Sequence, residues 1–125
     1  MRILLDTHFL LWWIAGAREL GDNARTIIAN PENLIFYSAA SLWELRIKEG
    51  TGKLELPEDF FSALSQEAFE ALAVTARHTE GLRKLPFHHR DPFDRMLIAQ
   101  ARLENLTLLT RDQVVTLYDV QSMLA

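Results

Sequence analysis

The sequence predicts an α/β fold, in which helices cover both faces of a mainly parallel sheet of four to five strands in a three-layer sandwich. Short apolar runs recur along the chain, and each ends at a polar residue that a helical pattern follows. Few polar residues interrupt these runs, which is typical of parallel strands buried on both faces. Of the 125 residues, 49% are hydrophobic and 24% are charged, a balance that suits one globular domain with its own core.

Five segments of the sequence are predicted to be strands. Each is short, and each is bounded by polar or turn-forming residues. The predicted strands are residues 3–5, 34–37, 69–74, 106–109 and 115–118.

Helices are predicted between these strands. Asp91 and Pro92 begin the longest, which runs to about residue 103, because Asp is a favoured N-cap and Pro a favoured first helical residue. Pro57, followed by two acidic residues, begins another in the same way. No linker, repeat or low-complexity tract divides the chain, so residues 1–125 are predicted to form a single domain. The remaining helices are predicted at residues 8–15, 23–29, 39–48 and 75–84.

The composition excludes several classes of protein. The chain has no cysteine, which rules out disulfides, thiolate metal ligands and cysteine nucleophiles. Its 13 basic and 17 acidic residues give a formal charge of −4, which argues against nucleic-acid binding through a strongly basic surface. The apolar stretch 3–15 contains Asp6 and His8 and is too short to cross a bilayer. We therefore expect a soluble, cytoplasmic protein that binds no membrane.

Acidic residues are predicted to collect at one edge of the sheet. Asp6 follows the first strand and Asp112 follows the fourth, and the carboxyl ends of parallel strands border the crevice in which such folds bind ligands. Glu44 lies in the first turns of the helix after the second strand, and Asp94 in the first turn of the helix before the fourth. We expect these four carboxylates to converge.

Each acid also has a purely structural explanation. Asp6 and Asp112 can cap the turns that follow them, and Asp91 and Asp94 fit the first turn of a helix. The segment SLWE at residues 41–44 matches a capping box, in which the Glu side chain bonds back to the backbone. Capping and metal binding are compatible, because both place the acids at the same rim.

A divalent cation explains the four acids together. Carboxylates at one rim repel one another, and a cation offsets that cost. A ligand set of oxygens alone favours Mg²⁺ or Mn²⁺ over Zn²⁺. Such an ion acidifies a bound water and orients it towards a phosphodiester, which predicts phosphoryl chemistry. Thr7 and Thr110 are candidates to bond to metal waters or phosphate, whereas Ser38 is expected to cap a helix.

With the four acids set aside, 13 acids balance the 13 basic residues, and the charge no longer argues against RNA.

Four segments of the sequence resemble PIN-domain ribonucleases, and most closely the VapC-like toxins of type II toxin–antitoxin pairs. No single segment is specific, but the four occur in the family's order and spacing, and the resemblance covers essentially the whole chain. The segments are ILLDTH at residues 3–8, SLWEL at 41–45, HRDPFDRMLIAQA at 89–101 and LLTRD at 108–112.

The resemblance implies a PIN fold around a parallel sheet and assigns the family's acids to Asp6, Glu44, Asp94 and Asp112. The fourth acid varies in position within the family, and the later position is Val115 here, which leaves Asp112. Such toxins cleave RNA with Mg²⁺ or Mn²⁺, usually form dimers, and are silenced by a cognate antitoxin that binds near the active site. We therefore expect an endoribonuclease in which a metal-bound water is the nucleophile.

Further residues flank the predicted rim. Asp91 is a candidate to support the site. The His88-His89 pair beside it could contact substrate or metal, although adjacent histidines in a polar loop are more often solvated. The tryptophans are expected to fill the core, Trp43 among them, and either Phe60 or Phe61 to be exposed. Three arginines are candidates to meet RNA phosphates, namely Arg77, Arg95 and Arg111.

Two other classes of protein share features with this sequence. A phosphoacceptor receiver domain has a similar length and layering, but it needs a neighbouring pair of acids after its first strand and a lysine after its last. Here Leu5 precedes Asp6, and no lysine follows Lys84. The second alternative is a catalytically inactive PIN-like binding module, against which the presence of all four acids argues.

Overall fold

Five strands form a single sheet in the computed structural model, which describes residues 1–125. They lie in the order β3-β2-β1-β4-β5, and every neighbouring pair is parallel. The predicted α/β class with a parallel sheet is confirmed. The strands are β1 (Arg2–Leu5), β2 (Leu34–Ser38), β3 (Glu70–Leu72), β4 (Thr107–Thr110) and β5 (Ser122–Leu124).

Helices connect the strands. No helix is both long and apolar enough to cross a membrane. The α-helices are α1 (Thr7–Ala15), α2 (Asp22–Ala29), α3 (Ala39–Gly50), α4 (Phe60–Ser65), α5 (Ala76–Glu80) and α6 (Pro92–Glu104), and two 3₁₀ helices cover Arg18–Leu20 and Gln113–Leu117.

Successive residues of β1 point to opposite faces of the sheet. Ile3 and Leu5 belong to a core shared with α1, α2, α3 and α4, whereas Leu4 belongs to a core shared with α6. All three side chains are fully buried. Because burial of one such side chain stabilises by about 1.5–3 kcal/mol, both helical layers hold β1 at the centre of the sheet.

The strand order reverses at β1, which pairs with β2 on one side and with β4 on the other. In open parallel sheets, ligands bind in the crevice beyond the carboxyl ends of the strands at such a point. Leu5 of β1 lies beside Leu109 of β4, so the chain leaves both strands at the same edge. The fold therefore places Asp6 and the residues after Thr110 at the position where a site is expected.

The strand predicted at residues 115–118 is wrong, because this segment belongs to a 3₁₀ helix and β5 follows it. Asp112 caps the 3₁₀ helix, since its Oδ1 accepts a hydrogen bond from the Val114 N–H at 2.9 Å. Val115 and Tyr118 are both buried, and a 3₁₀ helix places residues three apart on the same side. The apolar run at residues 114–118 is too short for periodicity to distinguish a helix from a strand.

The capping box predicted at residues 41–44 is also wrong. α3 begins earlier, because the Ser38 Oγ accepts a hydrogen bond from the Ala40 N–H at 3.0 Å, which confirms Ser38 as the cap. A capping box occurs instead at the start of α5, between Thr75 and His78. The Glu44 side chain therefore takes no part in capping the N-terminus of α3.

Aromatic residues differ from expectation at one position. Trp43 is 64% exposed, so the prediction that it fills the core is wrong. Trp12 and Trp13 are half-buried against the core on the α1 face. Phe60 is buried and Phe61 is 59% exposed, which confirms the prediction that one of these two residues is exposed.

Candidate metal centre

Asp6 links the ends of β1 and β4. It is the N-cap of α1, where its Oδ1 accepts a hydrogen bond from the Phe9 N–H at 2.8 Å. Its Oδ2 accepts a hydrogen bond from the Thr110 Oγ1, also at 2.8 Å. Burial raises the pKa of Asp6 and the charge of Glu44 adds to that rise, whereas the two hydrogen bonds lower it. The carboxylate is fixed in place, and a neighbouring cation would favour its ionised form.

Two threonine hydroxyls position the surrounding elements. Thr110 Oγ1 donates to Asp6 and accepts a hydrogen bond from the Asp112 N–H at 3.0 Å, so it ties both acids to the end of β4. Thr7 Oγ1 donates to the Ser41 Oγ at 3.0 Å in a buried contact that joins α1 to α3. The hydroxyl protons of both candidate supporting residues are thus used within the protein.

Glu44 is buried on α3, with 5% of its surface exposed. Its Oε2 lies 2.8 Å from the Lys48 Nζ, one helical turn later. Its Oε1 is buried and has no hydrogen-bond partner. A buried polar atom without a partner costs about 1–3 kcal/mol, and more when it is charged. This oxygen therefore points to a ligand that the protein itself does not supply.

Asp94 lies in the first turn of α6, which Asp91 caps. The Asp91 Oδ1 accepts hydrogen bonds from the Phe93 N–H at 2.8 Å and from the Asp94 N–H at 3.1 Å, as the capping explanation predicted. Burial raises the pKa of Asp94 to about 7, and the negative charges of Asp91, Glu44 and Asp6 contribute to the rise. The effect of Glu44 and Asp6 on Asp94 shows that the acids of three different elements converge.

His89 joins Asp94 to Asp112. Its Nε2 lies 3.0 Å from the Asp94 Oδ2 and 2.7 Å from the Asp112 Oδ2. Because its Nδ1 accepts a hydrogen bond from the Asp91 N–H at 3.1 Å, Nε2 carries the ring proton and donates towards the two carboxylates. The expectation that His89 is solvated is wrong, since its side chain is 17% exposed and bonded on both nitrogens.

Arg95 and Tyr118 hold the loop that carries His89. The buried Arg95 guanidinium donates to the Pro86 carbonyl at 2.7 Å and to the Leu85 carbonyl at 3.1 Å. The Tyr118 hydroxyl donates to the Pro86 carbonyl and accepts from the His89 N–H, both at 2.7 Å. Arg95, a candidate for RNA phosphates, therefore has donors committed to this loop and acts on the acids through it.

The two other candidate arginines differ in their surroundings. Arg77 is exposed on α5. Arg111 lies 5.2 Å from the rings of Phe9 and Trp12, and its guanidinium is bonded to backbone. It donates at 2.9 Å to the carbonyls of Glu19, Leu20 and Ala125.

An open cavity of about 280 Å³ lies at the acids. Three of the four predicted carboxylates line it, and Glu44 is buried outside it. Two of its seven lining residues, Phe9 and Trp12, are hydrophobic. The lining residues are Asp6, His8, Phe9, Trp12, Asp94, Arg111 and Asp112.

The residues of this site fit a divalent cation that prefers oxygen ligands. The carboxylates of Asp94 and Asp112 converge on the His89 Nε2–H, and Asp6 lines the same cavity as these two acids, so the three carboxylates offer oxygen ligands to one ion. A cation would favour the ionised forms of Asp6 and Asp94 and would offset the unpartnered oxygen of Glu44. Carboxylate oxygens are the ligands that Mg²⁺ and Mn²⁺ prefer.

Sequence reasoning missed Lys48 and Tyr118, and it weighed His89 only as the less favoured alternative to a solvated side chain. Lys48 follows Glu44 at the i, i+4 spacing of helical ion pairs, a signal that could have found it. His89 and Tyr118 carry no comparable signal, because their contacts join segments 23 to 29 residues apart.

The chain belongs to the PIN domain family, whose model matches residues 3–121. The four segments that resemble this family therefore predicted it correctly. No curated protein sequence matches the chain significantly.

Solved structures of VapC-type proteins share this fold. VapBC2 from Rickettsia felis, in complex with a DNA fragment from its promoter, is 21% identical over 98% of both chains, with a TM-score of 0.72. DNA-bound VapBC from Salmonella typhimurium is 18% identical over 98% of this chain and 97% of that one, with a TM-score of 0.70. VapC20 from Mycobacterium tuberculosis, described as a Sarcin-Ricin loop cleaving toxin, is 17% identical over 98% and 99% of the chains, with a TM-score of 0.67.

The strand order contradicts the receiver-domain alternative. Receiver domains have the strand order 2-1-3-4-5, whereas the order here is 3-2-1-4-5. The site thus lies between the first and fourth strands of a PIN domain.

Proposed function

We propose that this PIN domain is a divalent-metal-dependent endoribonuclease, in which Asp6, Glu44, Asp94 and Asp112 hold Mg²⁺ or Mn²⁺. The observation that carries the proposal is that Asp6, Asp94 and Asp112 line one cavity where the strand order reverses, while one buried carboxylate oxygen of Glu44, outside that cavity, lacks a partner. Such a cluster is costly to keep in a protein that binds no cation there.

The chain's own residues hold the acids in position. Thr110 orients Asp6, Lys48 holds one oxygen of Glu44, and His89 holds Asp94 and Asp112. The cation, when bound, supplies Lewis-acid activation of water and charge stabilisation at a scissile phosphodiester. Fixed ligands of this kind preorganise the site, so that little rearrangement opposes the reaction.

We extend the proposal to a toxin of a toxin–antitoxin pair. Structural relatives are described as VapBC complexes, as a toxin–antitoxin complex from Klebsiella pneumoniae and as a toxin that cleaves the Sarcin-Ricin loop. By analogy, this chain would cleave RNA in the cytoplasm, form a homodimer and be silenced by a cognate antitoxin protein.

Substitution of the acids tests the proposed activity. Asp94→Asn and Asp6→Asn each remove a charged ligand while keeping a similar shape, so we expect RNA cleavage in Mg²⁺ or Mn²⁺ to fall at least about a hundredfold. Cleavage of a labelled RNA measures this, and calorimetry with Mn²⁺ measures the ion directly. Binding should be lost in Asp6→Asn.

Asp59→Asn is the matched control, because Asp59 is exposed and its side chain makes no capping hydrogen bond. It should cleave RNA and bind Mn²⁺ as the wild type does. Full activity of Asp94→Asn would refute the proposed site. Wild-type protein that binds Mn²⁺ but cleaves no RNA would favour the inactive binding module.

A further inference from the structure

A second open cavity, of about 400 Å³, lies between α6 and the turn that follows α5. The cavity has an apolar floor and a charged rim. The rim carries three basic residues and one acidic residue, which gives it a net charge of +2 in a chain whose net charge is −4. We call it the basic cavity. The floor consists of Gly81, Ala99 and Leu103, and the rim of Glu80, Arg83, Lys84 and Arg102.

The cations of the basic cavity have no partner within the protein. None of the five ion pairs of the molecule includes Arg83, Lys84 or Arg102. Arg95 and Arg111, by contrast, are bonded to backbone carbonyls. The donors of the basic cavity are therefore available to a ligand.

Gly81 brings these cations together. A Cβ at this position would lie 2.9 Å from the Leu103 Cδ1 and 3.1 Å from the His78 carbonyl oxygen, too close for an ordinary side chain. Glycine thus lets the turn after α5 pack directly on α6. Arg83, which follows this turn, and Arg102 of α6 both line the cavity.

We infer that the basic cavity binds phosphate groups of the RNA substrate, an inference that rests on the proposed ribonuclease function. Without a bound cation, the cavity at the acids offers little attraction to a phosphate backbone, because three carboxylates line it and Arg111 is bonded to carbonyls. Unpaired guanidinium and ammonium groups are the side chains that bind phosphates. A chain of negative net charge needs such a local basic region to attract RNA.

Helix α6 connects the two cavities. Asp94 lies in its first turn and Arg102 in its last turn, eight residues later, which is about 12 Å along the helix axis. A stacked strand covers that distance with roughly three to four nucleotides. The basic cavity therefore binds RNA that flanks the cleaved bond, and its loss weakens RNA affinity without removing the metal centre.

The double substitution Lys84→Gln and Arg102→Gln tests this inference. The probe is a fluorescein-labelled RNA hairpin with single-stranded flanks, titrated by anisotropy in EDTA between about 50 and 200 mM salt. Loss of two phosphate contacts should lower the slope of log K against log salt by about 1.4. The affinity itself should fall most at the lowest salt concentration.

Arg18→Gln with Lys53→Gln is the matched control, since both side chains are exposed elsewhere and the net charge changes equally. It should keep the wild-type slope, as should the charge-conserving pair Lys84→Arg and Arg102→Lys. A wild-type slope in the glutamine variant would overturn the inference. So would an equal loss in the control, because the effect would then come from net charge alone.

The two proposals fail in different ways. A wild-type protein that cleaves RNA in Mg²⁺, with a slope that the glutamine variant does not change, would leave the ribonuclease standing and overturn the basic cavity. A protein whose RNA affinity depends on the cavity but that cleaves no RNA in Mg²⁺ would overturn the ribonuclease alone.

Discussion

At the scale of single residues, His89 determines how the acids are held. Its Nε2–H lies between two carboxylates that otherwise repel, and the side chain of Asp112, the more exposed of the two, is 39% exposed. We expect His89→Ala to weaken Mn²⁺ binding about 10- to 100-fold, the usual cost of losing a residue that orients metal ligands. Calorimetry with Mn²⁺ measures this directly.

His88→Ala is the control for that substitution, because His88 is exposed and is not bonded to the acids. His89→Gln, which retains a donor, should recover part of the affinity. Equal or tighter Mn²⁺ binding by His89→Ala would contradict the prediction and would mean that His89 competes with the ion for the carboxylates.

The acids themselves could be predicted from sequence because strand ends and helix starts place them. Asp6 follows an apolar run and Asp94 follows Asp91-Pro92, and both signals are local. The unpartnered oxygen of Glu44 could not be predicted, since it depends on which side chains pack over α3. The position of His89 likewise depends on contacts distant in sequence.

At the scale of elements, residues 85–91 form a loop whose path depends on Tyr118. Tyr118→Phe removes the hydroxyl between the Pro86 carbonyl and the His89 N–H. We expect the free energy of unfolding to fall by about 1 kcal/mol, because the half-buried His89 N–H loses its partner whereas the Pro86 carbonyl keeps its hydrogen bond from Arg95. Urea unfolding measures it.

Tyr37→Phe serves as the comparison for Tyr118→Phe, since Tyr37 is half-buried and packs against the core on the α1 face. It should cost less than Tyr118→Phe. Equal losses in the two variants would show that the hydroxyl of Tyr118 does not hold the loop.

The elements predicted well are those with local signals. α6 begins at Pro92 as predicted, because cap and proline act on adjacent backbone. The segment at residues 115–118 was predicted as a strand because a short apolar run fits either structure, and in the fold it packs as a 3₁₀ helix against α6. Trp43 was expected in the core by residue type, although α3 turns this position outward.

At the scale of the whole molecule, the acidic residues that would bind a cation are the ones that destabilise the fold without it. The acids converge where the strand order reverses, whereas the three unpaired cations of the basic cavity lie near the opposite end of α6. The acidic centre is costly to the metal-free fold, because burial and mutual repulsion oppose ionisation of Asp6 and Asp94. A bound cation would neutralise these carboxylates, and its binding free energy would stabilise the folded protein.

This arrangement predicts how stability varies with pH. The pKa of Asp94 is raised from 3.8 to about 7 in the folded protein, so the fold binds a proton that the unfolded chain releases between these values. In EDTA, wild-type stability should therefore fall relative to Asp94→Asn as the pH rises from 4 to 7. The difference should reach about 2 kcal/mol once solvent screening is allowed for, and should vanish below pH 4. Urea unfolding across this range measures it, with Asp59→Asn following the wild type.

Saturating Mg²⁺ at pH 8 should restore wild-type stability but not that of Asp94→Asn, because only the intact site gains free energy from the ion. Parallel curves for wild type and Asp94→Asn would show that Asp94 ionises without cost.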